Sequence, residues 1–147
     1  MHRTMWQRIQ TLYLGIATAL IVSMFFCRFA TIAGPEGTEE IIRYYEKMPF
    51  LVLLIMLTAA HISATGSFKM FILQARVAMI SCLLALGFQV WLAYDFFCYK
   101  DVMTFSITML FPGVAAFLDF IAAKAAMVDE ATLAGIKAIK KVRKNRK

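Results

Sequence analysis

Apolar residues in this chain do not alternate or recur on one face; they run in four long stretches separated by short polar breaks. The stretches cover about residues 11–32, 48–66, 77–97 and 102–127. About twenty apolar residues wound as a helix cross the hydrocarbon core of a bilayer, and a helix that is apolar all round has no face to offer water. The pattern therefore predicts four helices buried in lipid. The punctuation agrees with it. Gly34-Pro35-Glu36-Gly37 is strong loop chemistry after the first stretch. Pro49 stands in the first turn of the second, where a missing N–H costs little. Pro112-Gly113 falls inside the fourth stretch and predicts a kink or a loosened turn there. No internal repeat relates the two halves, which weighs against an inverted-repeat transporter.

Between the first two stretches, Glu36, Glu39, Glu40 and Glu46 stand against Arg43 and Lys47, with Tyr44 and Tyr45 read as aromatics at the headgroup level. Trp91, Tyr94 and Tyr99 form the same belt at the end of the third stretch. The N-terminus has Arg3 and Arg8 ahead of its apolar run, as a secretory signal would. The run is longer than the ~7–15 residues of a signal's apolar region, so it is read as a retained span.

Composition then closes off the soluble alternatives. With 61% hydrophobic residues in 147 and a mean hydropathy of +0.70, the core would be too apolar for a water-soluble domain. The net charge of +7 raises nucleic acid or anionic lipid as partners, and its placement decides between them. Arg3, Arg8, Lys69, Arg76 and the cluster from Lys124 to Lys147 fall on one side of the four spans; Arg28, Arg43, Lys47 and Lys100 fall on the other. Lys and Arg accumulate on the cytoplasmic side, which puts both termini inside. Residues 1–128 are thus a four-span domain and 129–147 a basic tail. In that tail Leu133, Ile136, Ile139 and Val142 keep near-helical spacing among Lys137, Lys140, Lys141, Arg143, Lys144, Arg146 and Lys147. This predicts an amphipathic helix lying on anionic headgroups or meeting a protein partner. No aromatic stacking residue accompanies the charge, which disfavours nucleic acid.

Chemistry is sparse. Asp119 is the sharpest candidate, because an aspartate within an apolar run costs ~2.5–3.5 kcal/mol on insertion scales. Counting ~1.5 Å per residue from the outer surface places His61 about 20 Å and Asp119 about 25 Å deep, so the two are candidates to pair across helices and relay a proton. Lys124, five residues on, is offset from an ideal bridge to Asp119. Gln89 either lines a pathway or bonds another helix. The bland reading is that Asp119 reaches water or Lys124 near the inner interface, that His61 hydrogen-bonds a neighbouring carbonyl, and that Gln89 serves helix packing. Ser63, Thr65, Gly66 and Ser67 are small residues that allow close approach of helices or of a second subunit. Cys27, Cys82 and Cys98 show no CxxC spacing and act as small hydrophobes, with Cys27 and Cys98 both near outer helix ends. No HExxH, GxSxG or phosphate-binding loop is present, and no catalytic, cofactor or metal residue is expected.

Three patches carry a family likeness. Met5-Trp6-Gln7-Arg8-Ile9-Gln10-Thr11-Leu12-Tyr13-Leu14 is similar to the pattern MIQRIQTxYL. Phe68-Lys69 with Leu73-Gln74-Ala75-Arg76 is similar to FKNRKLQIR, and Ile121 through Asp129-Glu130 to Leu133 to AxxxIxxDExL. On these the chain resembles the small four-span membrane proteins of Bacteroidetes grouped as domain of unknown function 4293. The resemblance implies a bacterial inner-membrane location and a four-helix body, but no substrate, cofactor or catalytic residue. Met70-Phe71-Ile72 replaces the polar NRK triplet, the lysine-rich tail replaces a terminal aspartate-arginine-leucine-arginine element, and Asp119 has no counterpart in the pattern.

The expectation is an all-α integral membrane four-helix bundle that is not an enzyme: an accessory or partner-binding subunit, with a homo-oligomer also open. The alternative is a small oligomeric transporter or channel using Asp119, His61 and Gln89.

Overall fold

The computed structural model describes residues 2–67 and 69–146, with side chains from Ile9 onward except at position 71. Four helices, α1 (His2–Met24), α2 (Met48–Gly66), α3 (Phe71–Tyr99) and α4 (Phe111–Asn145), are joined by short connections and a small sheet. The sheet is formed by β1 (Arg28–Ala33), β2 (Glu39–Arg43) and β3 (Met103–Phe105), in the order β2-β1-β3 with both pairings antiparallel. α2, α3, and α4 with the 3-10 turn before it, are long and apolar enough to cross a membrane; the apolar part of α1, Ile9–Met24, is shorter.

The sheet corrects the all-helical expectation. The first apolar stretch was expected to stay helical to Ile32, yet α1 ends at Met24. Its last turn tightens through i to i−3 bonds from Phe25, Phe26 and Cys27 N–H to the carbonyls of Val22, Ser23 and Met24. Residues 28–33 then become the central strand, bonded on both edges. A short apolar run satisfies its backbone equally well as helix or strand, so hydropathy alone does not separate the two. The hairpin between β1 and β2 closes through the Gly34 N–H to the Thr38 carbonyl at 2.6 Å. A Cβ at Gly34 would stand 2.9 Å from that same carbonyl oxygen, and Gly37 has φ +79°, so both positions require glycine.

Pro112 does not kink the fourth helix. It occupies the first turn of α4, because residues 103–110 form β3 and a 3-10 turn instead of helix. α4 then runs without a break through the expected domain boundary to Asn145.

The helices pack antiparallel around stripes of buried residues. On α2 the stripe is Phe50, Leu54, Leu57, His61 and Ala64; on α4 it is Pro112, Ala115, Ala116, Asp119, Ala122, Ala123 and Ala126. Both keep three-and-four spacing, and the alanines let α4 approach its neighbours closely. The opposite faces are apolar too. Leu12, Ile16, Val52, Ile55, Ile80, Leu83, Val90, Phe117 and Phe120 are all exposed, far more apolar surface than a soluble monomer presents. Hydroxyls among these residues spend their hydrogens on their own helix, as in Thr18 to the Leu14 carbonyl, Thr58 to Leu54 and Ser81 to Val77. Ser63, Thr65 and Ser67 do the same. Thr65 and Gly66 face Thr11, Gly15 and Thr18 of α1 across an open apolar groove.

Candidate functional site

His61 and Asp119 meet at the centre of the bundle. Each lies on the buried stripe of its helix, and His61 Nε2 stands 2.9 Å from Asp119 Oδ2 with both side chains fully enclosed. His61 Nδ1 is 2.7 Å from the Leu57 carbonyl. A carbonyl only accepts, so Nδ1 carries a hydrogen and Nε2 is left facing the carboxyl. The contact is close in distance but falls outside hydrogen-bond geometry, and Asp119 Oδ1 has no protein partner. Chemically the pair is neutral when it holds one proton between Nε2 and Oδ2, whichever atom carries it. Removing that proton would leave a bare negative charge in an apolar interior.

The other two residues of the expected polar site lie elsewhere. Gln89 Oε1 accepts the N–H of Gly113 at 3.0 Å, closing a free donor in the first turn of α4. Asp119 lies six residues, ~9 Å, farther along that helix. Lys124 is exposed, and the partner of Asp119 is His61. Among the described residues no group of three or more His, Cys, Asp or Glu side chains is arranged to hold a metal ion, and Cys27, Cys82 and Cys98 are free thiols.

The sheet end holds a polar cluster that the sequence reading missed. Lys47 Nζ lies 3.2 Å from Asp95 Oδ2 of α3 and over the rings of Phe29 at 4.7 Å, Phe50 at 5.3 Å and Tyr99 at 5.7 Å. Asp95 is nearly buried. Its signal was available: one acid near the end of an apolar run, level with a cation at the start of the next helix in space. Tyr44, expected at the headgroup surface, is instead enclosed beneath β1, while Tyr45 is exposed. Thr108 Oγ1 is 3.1 Å from the Arg28 carbonyl and 2.9 Å from the Tyr44 hydroxyl. With the single threonine hydrogen on that carbonyl, the phenol is the donor to Thr108.

Burial pushes the Tyr44 phenol from 10.0 up to about 12, partly offset by its bond to Thr108. The folded pKa lies above the unfolded one, so this group's stabilisation is complete below pH ~10 and lost as pH rises toward 12. In an ultraviolet titration of the folded protein Tyr44 should ionise late, and Tyr44→Phe should lower the late amplitude by one tyrosine equivalent. A late step of undiminished amplitude in Tyr44→Phe would refute the assignment.

At the opposite end, the three patches of family likeness come together. The Gln10 amide, fully buried on α1, donates to Asp129 of α4. Gln74, buried at the start of α3, donates to the Ala64 carbonyl at 3.3 Å and satisfies a free acceptor in the last turn of α2. Arg76, two residues farther along α3, shares a groove with Glu130 and Lys137 of α4. Beyond it residues 134–146 are exposed, including Ile136, Ile139 and Val142 among Lys137, Lys140, Lys141, Arg143, Lys144 and Arg146. Lys147 lies outside the described residues.

A search of curated proteins gave no match. A family model described as Domain of unknown function (DUF4293) matches residues 6–139, so the chain belongs to that family.

Proposed function

We propose that the protein is a four-span bacterial inner-membrane protein with both termini cytoplasmic, acting as a non-catalytic accessory subunit that presents α4 to an acidic protein partner. The exposed apolar faces on all four helices support the membrane setting, since lipid is the solvent they suit. The basic residues of the α2–α3 turn and of α4 gather at one end of the bundle, as the cytoplasmic side requires.

The observation that carries the partner reading is the unbroken course of α4 from Phe111 to Asn145. At ~1.5 Å per residue a ~30 Å hydrocarbon core takes about twenty residues, which ends the span near Asp129-Glu130. The fifteen residues that follow project ~22 Å farther in the same direction. Lys140 to Arg146 thus stand more than a Debye length of ~8 Å from the headgroups, too far to be held by lipid charge and well placed for an acidic protein surface.

A photo-crosslinker at Ile139 in native membranes should give a discrete adduct with another protein. Reversing Lys140, Lys141 and Arg143 to Glu should abolish it. Adducts with lipid alone, or none, would defeat the partner reading. A reporter after Gly37 should read outside and one at the C-terminus inside.

A second reading, proton-coupled transport, is favoured by the enclosed single-proton pair of His61 and Asp119. Asp119→Asn should then alter a pH-dependent flux in proteoliposomes, and an unchanged flux removes the pair from any such mechanism.

A further inference from the structure

Where α4 leaves the bundle, its side meets the α2–α3 turn in a groove of about 410 Å3 lined by Lys69, Met70, Ile72, Leu73, Arg76, Glu130, Leu133 and Lys137. The volume is within the ~300–1,000 Å3 typical of small-molecule sites. Three cations face one carboxylate there, so the groove is positive. The apolar members are exposed as well: Met70, Ile72 and Leu73 all present large side chains outward beside those cations.

Asp129, adjacent to Glu130, does not add to the acid in the groove, because it is turned inward and accepts the Gln10 amide. That bond also sets the angle of α4 against α1, and the Gln74 bond to the Ala64 carbonyl sets α3 against α2. The two walls of the groove are therefore fixed by buried hydrogen bonds one turn away. Arg76 sits on a helix held by Gln74, and Lys137 lies two turns beyond the residue held by Gln10.

From this placement we propose that the groove is a binding site for the phosphodiester headgroup of an anionic phospholipid. Arg76 and Lys137 engage the phosphate oxygens, and Met70, Ile72 and Leu73 lie along the start of the acyl chains. The inference rests on the membrane reading above, which sets the groove at the level where the span of α4 ends. Charge complementarity selects the anion, and the apolar wall selects a lipid over a free phosphate. Arginine suits the contact because its planar fork meets two phosphate oxygens at once. Lys137 stands ~10 Å past the exit at Glu130, and a helical side chain slopes back toward the N-terminus of its helix, which brings its ammonium to the headgroup layer, whereas the distal cations start ~5 Å farther out.

The test uses the full chain purified in detergent, titrated with phosphatidylglycerol or phosphatidylcholine and read by native mass spectrometry. Phosphatidylglycerol should be retained in preference to phosphatidylcholine. Arg76→Gln with Lys137→Gln should weaken its binding about 25-fold, since each cation at an anionic lipid surface contributes roughly fivefold. Arg43→Gln with Lys100→Gln, the same charge change at the opposite end, should change it less than about twofold. Glu130→Gln should tighten binding, a gain that misfolding does not produce.

Equal losses from the two double variants would mean that net charge alone attracts the lipid, and would overturn the site. A larger loss from Lys140→Gln with Lys144→Gln would move binding to the distal helix and overturn it too. Millimolar inorganic phosphate that displaces the lipid would reassign the groove to free phosphate. Release of the protein from membranes by alkaline carbonate would instead sink the membrane reading itself, an outcome separate from loss of lipid selectivity in a protein that stays embedded.

Discussion

Asp119→Ala is expected to destabilise the bundle by about 3–5 kcal/mol, the range found when one member of a buried ion pair is removed. The reason is what it leaves behind. His61 is fully enclosed, its Nδ1 is committed to the Leu57 carbonyl, and Nε2 would face a void among leucines and alanines. Replacing both residues together, His61→Met with Asp119→Leu, should recover most of the loss, because an apolar pair of similar volume needs no partner. Asp119→Asn should be the mildest, costing about 1 kcal/mol, since an amide keeps the volume and still meets the ring. Unfolding in detergent, followed as a double-mutant cycle, measures the coupling directly. Additive losses from the two single variants would show that the pair does not act as a unit. A strong coupling makes the pair a structural lock between α2 and α4, whatever protons it also carries.

Phe29→Ala is expected to cost about as much, ~3–5 kcal/mol, the usual range for deleting a large aromatic from a core. Phe29 is the residue through which β1 grips the helices. Its ring packs against Tyr44 at 5.4 Å, Phe50 at 5.2 Å and Phe105 at 5.4 Å between centroids, and carries Lys47 on its face. Each such ring pair adds about 0.5–1.5 kcal/mol beyond the area it buries. Lys47→Ala should cost less, about 1–3 kcal/mol, the cost of leaving the nearly buried Asp95 without its partner, moderated because Lys47 itself is partly exposed. The two variants also differ in kind. Loss of Phe29 should free the hairpin from the helix ends, so that protease cuts near Gly34 to Thr38 appear before global unfolding. A hairpin that stays protected in Phe29→Ala, with stability changed by less than about 1 kcal/mol, would contradict this role.

Much of the frame was legible because hydrophobic length and cap chemistry are local properties. The second helix begins and ends where Pro49 and Gly66 stand, and the third differs from its expected bounds only by extending at each end, to Phe71 and Tyr99. The first and fourth stretches were read too long at the sheet end, and for one reason. Residues 28–33 and 103–105 are largely apolar, and their strand form comes from backbone bonds of 28–33 to β2 on one edge and, across more than seventy residues, to 103–105 on the other. Nothing within either segment announces the other. Pro112 was read as a kink inside the fourth helix and instead starts it, since its effect depends on whether a turn of helix precedes it.

The polar residues divide in the same way. From the sequence, His61 and Asp119 were comparable in depth and each lacked a local partner, which was enough to suggest their contact. Gln89 shared that description, yet the fold uses it to cap α4. Depth along a helix follows from counting residues; direction around it depends on which neighbours pack there. Asp95 and Lys47, separated by nearly two helices of chain, needed the antiparallel packing of α2 and α3 to become a pair.

By itself, then, the sequence determined how many apolar segments the chain has, where the second of them begins and ends, and which end of the bundle gathers the basic residues, because each depends on neighbours along the chain. Only the tertiary structure decided that a sheet closes one end, that His61 faces Asp119, and that the three family patches tie the other end together through Gln10, Gln74 and Asp129. Those contacts join residues far apart in the chain, and such groups find one another only when the helices are packed.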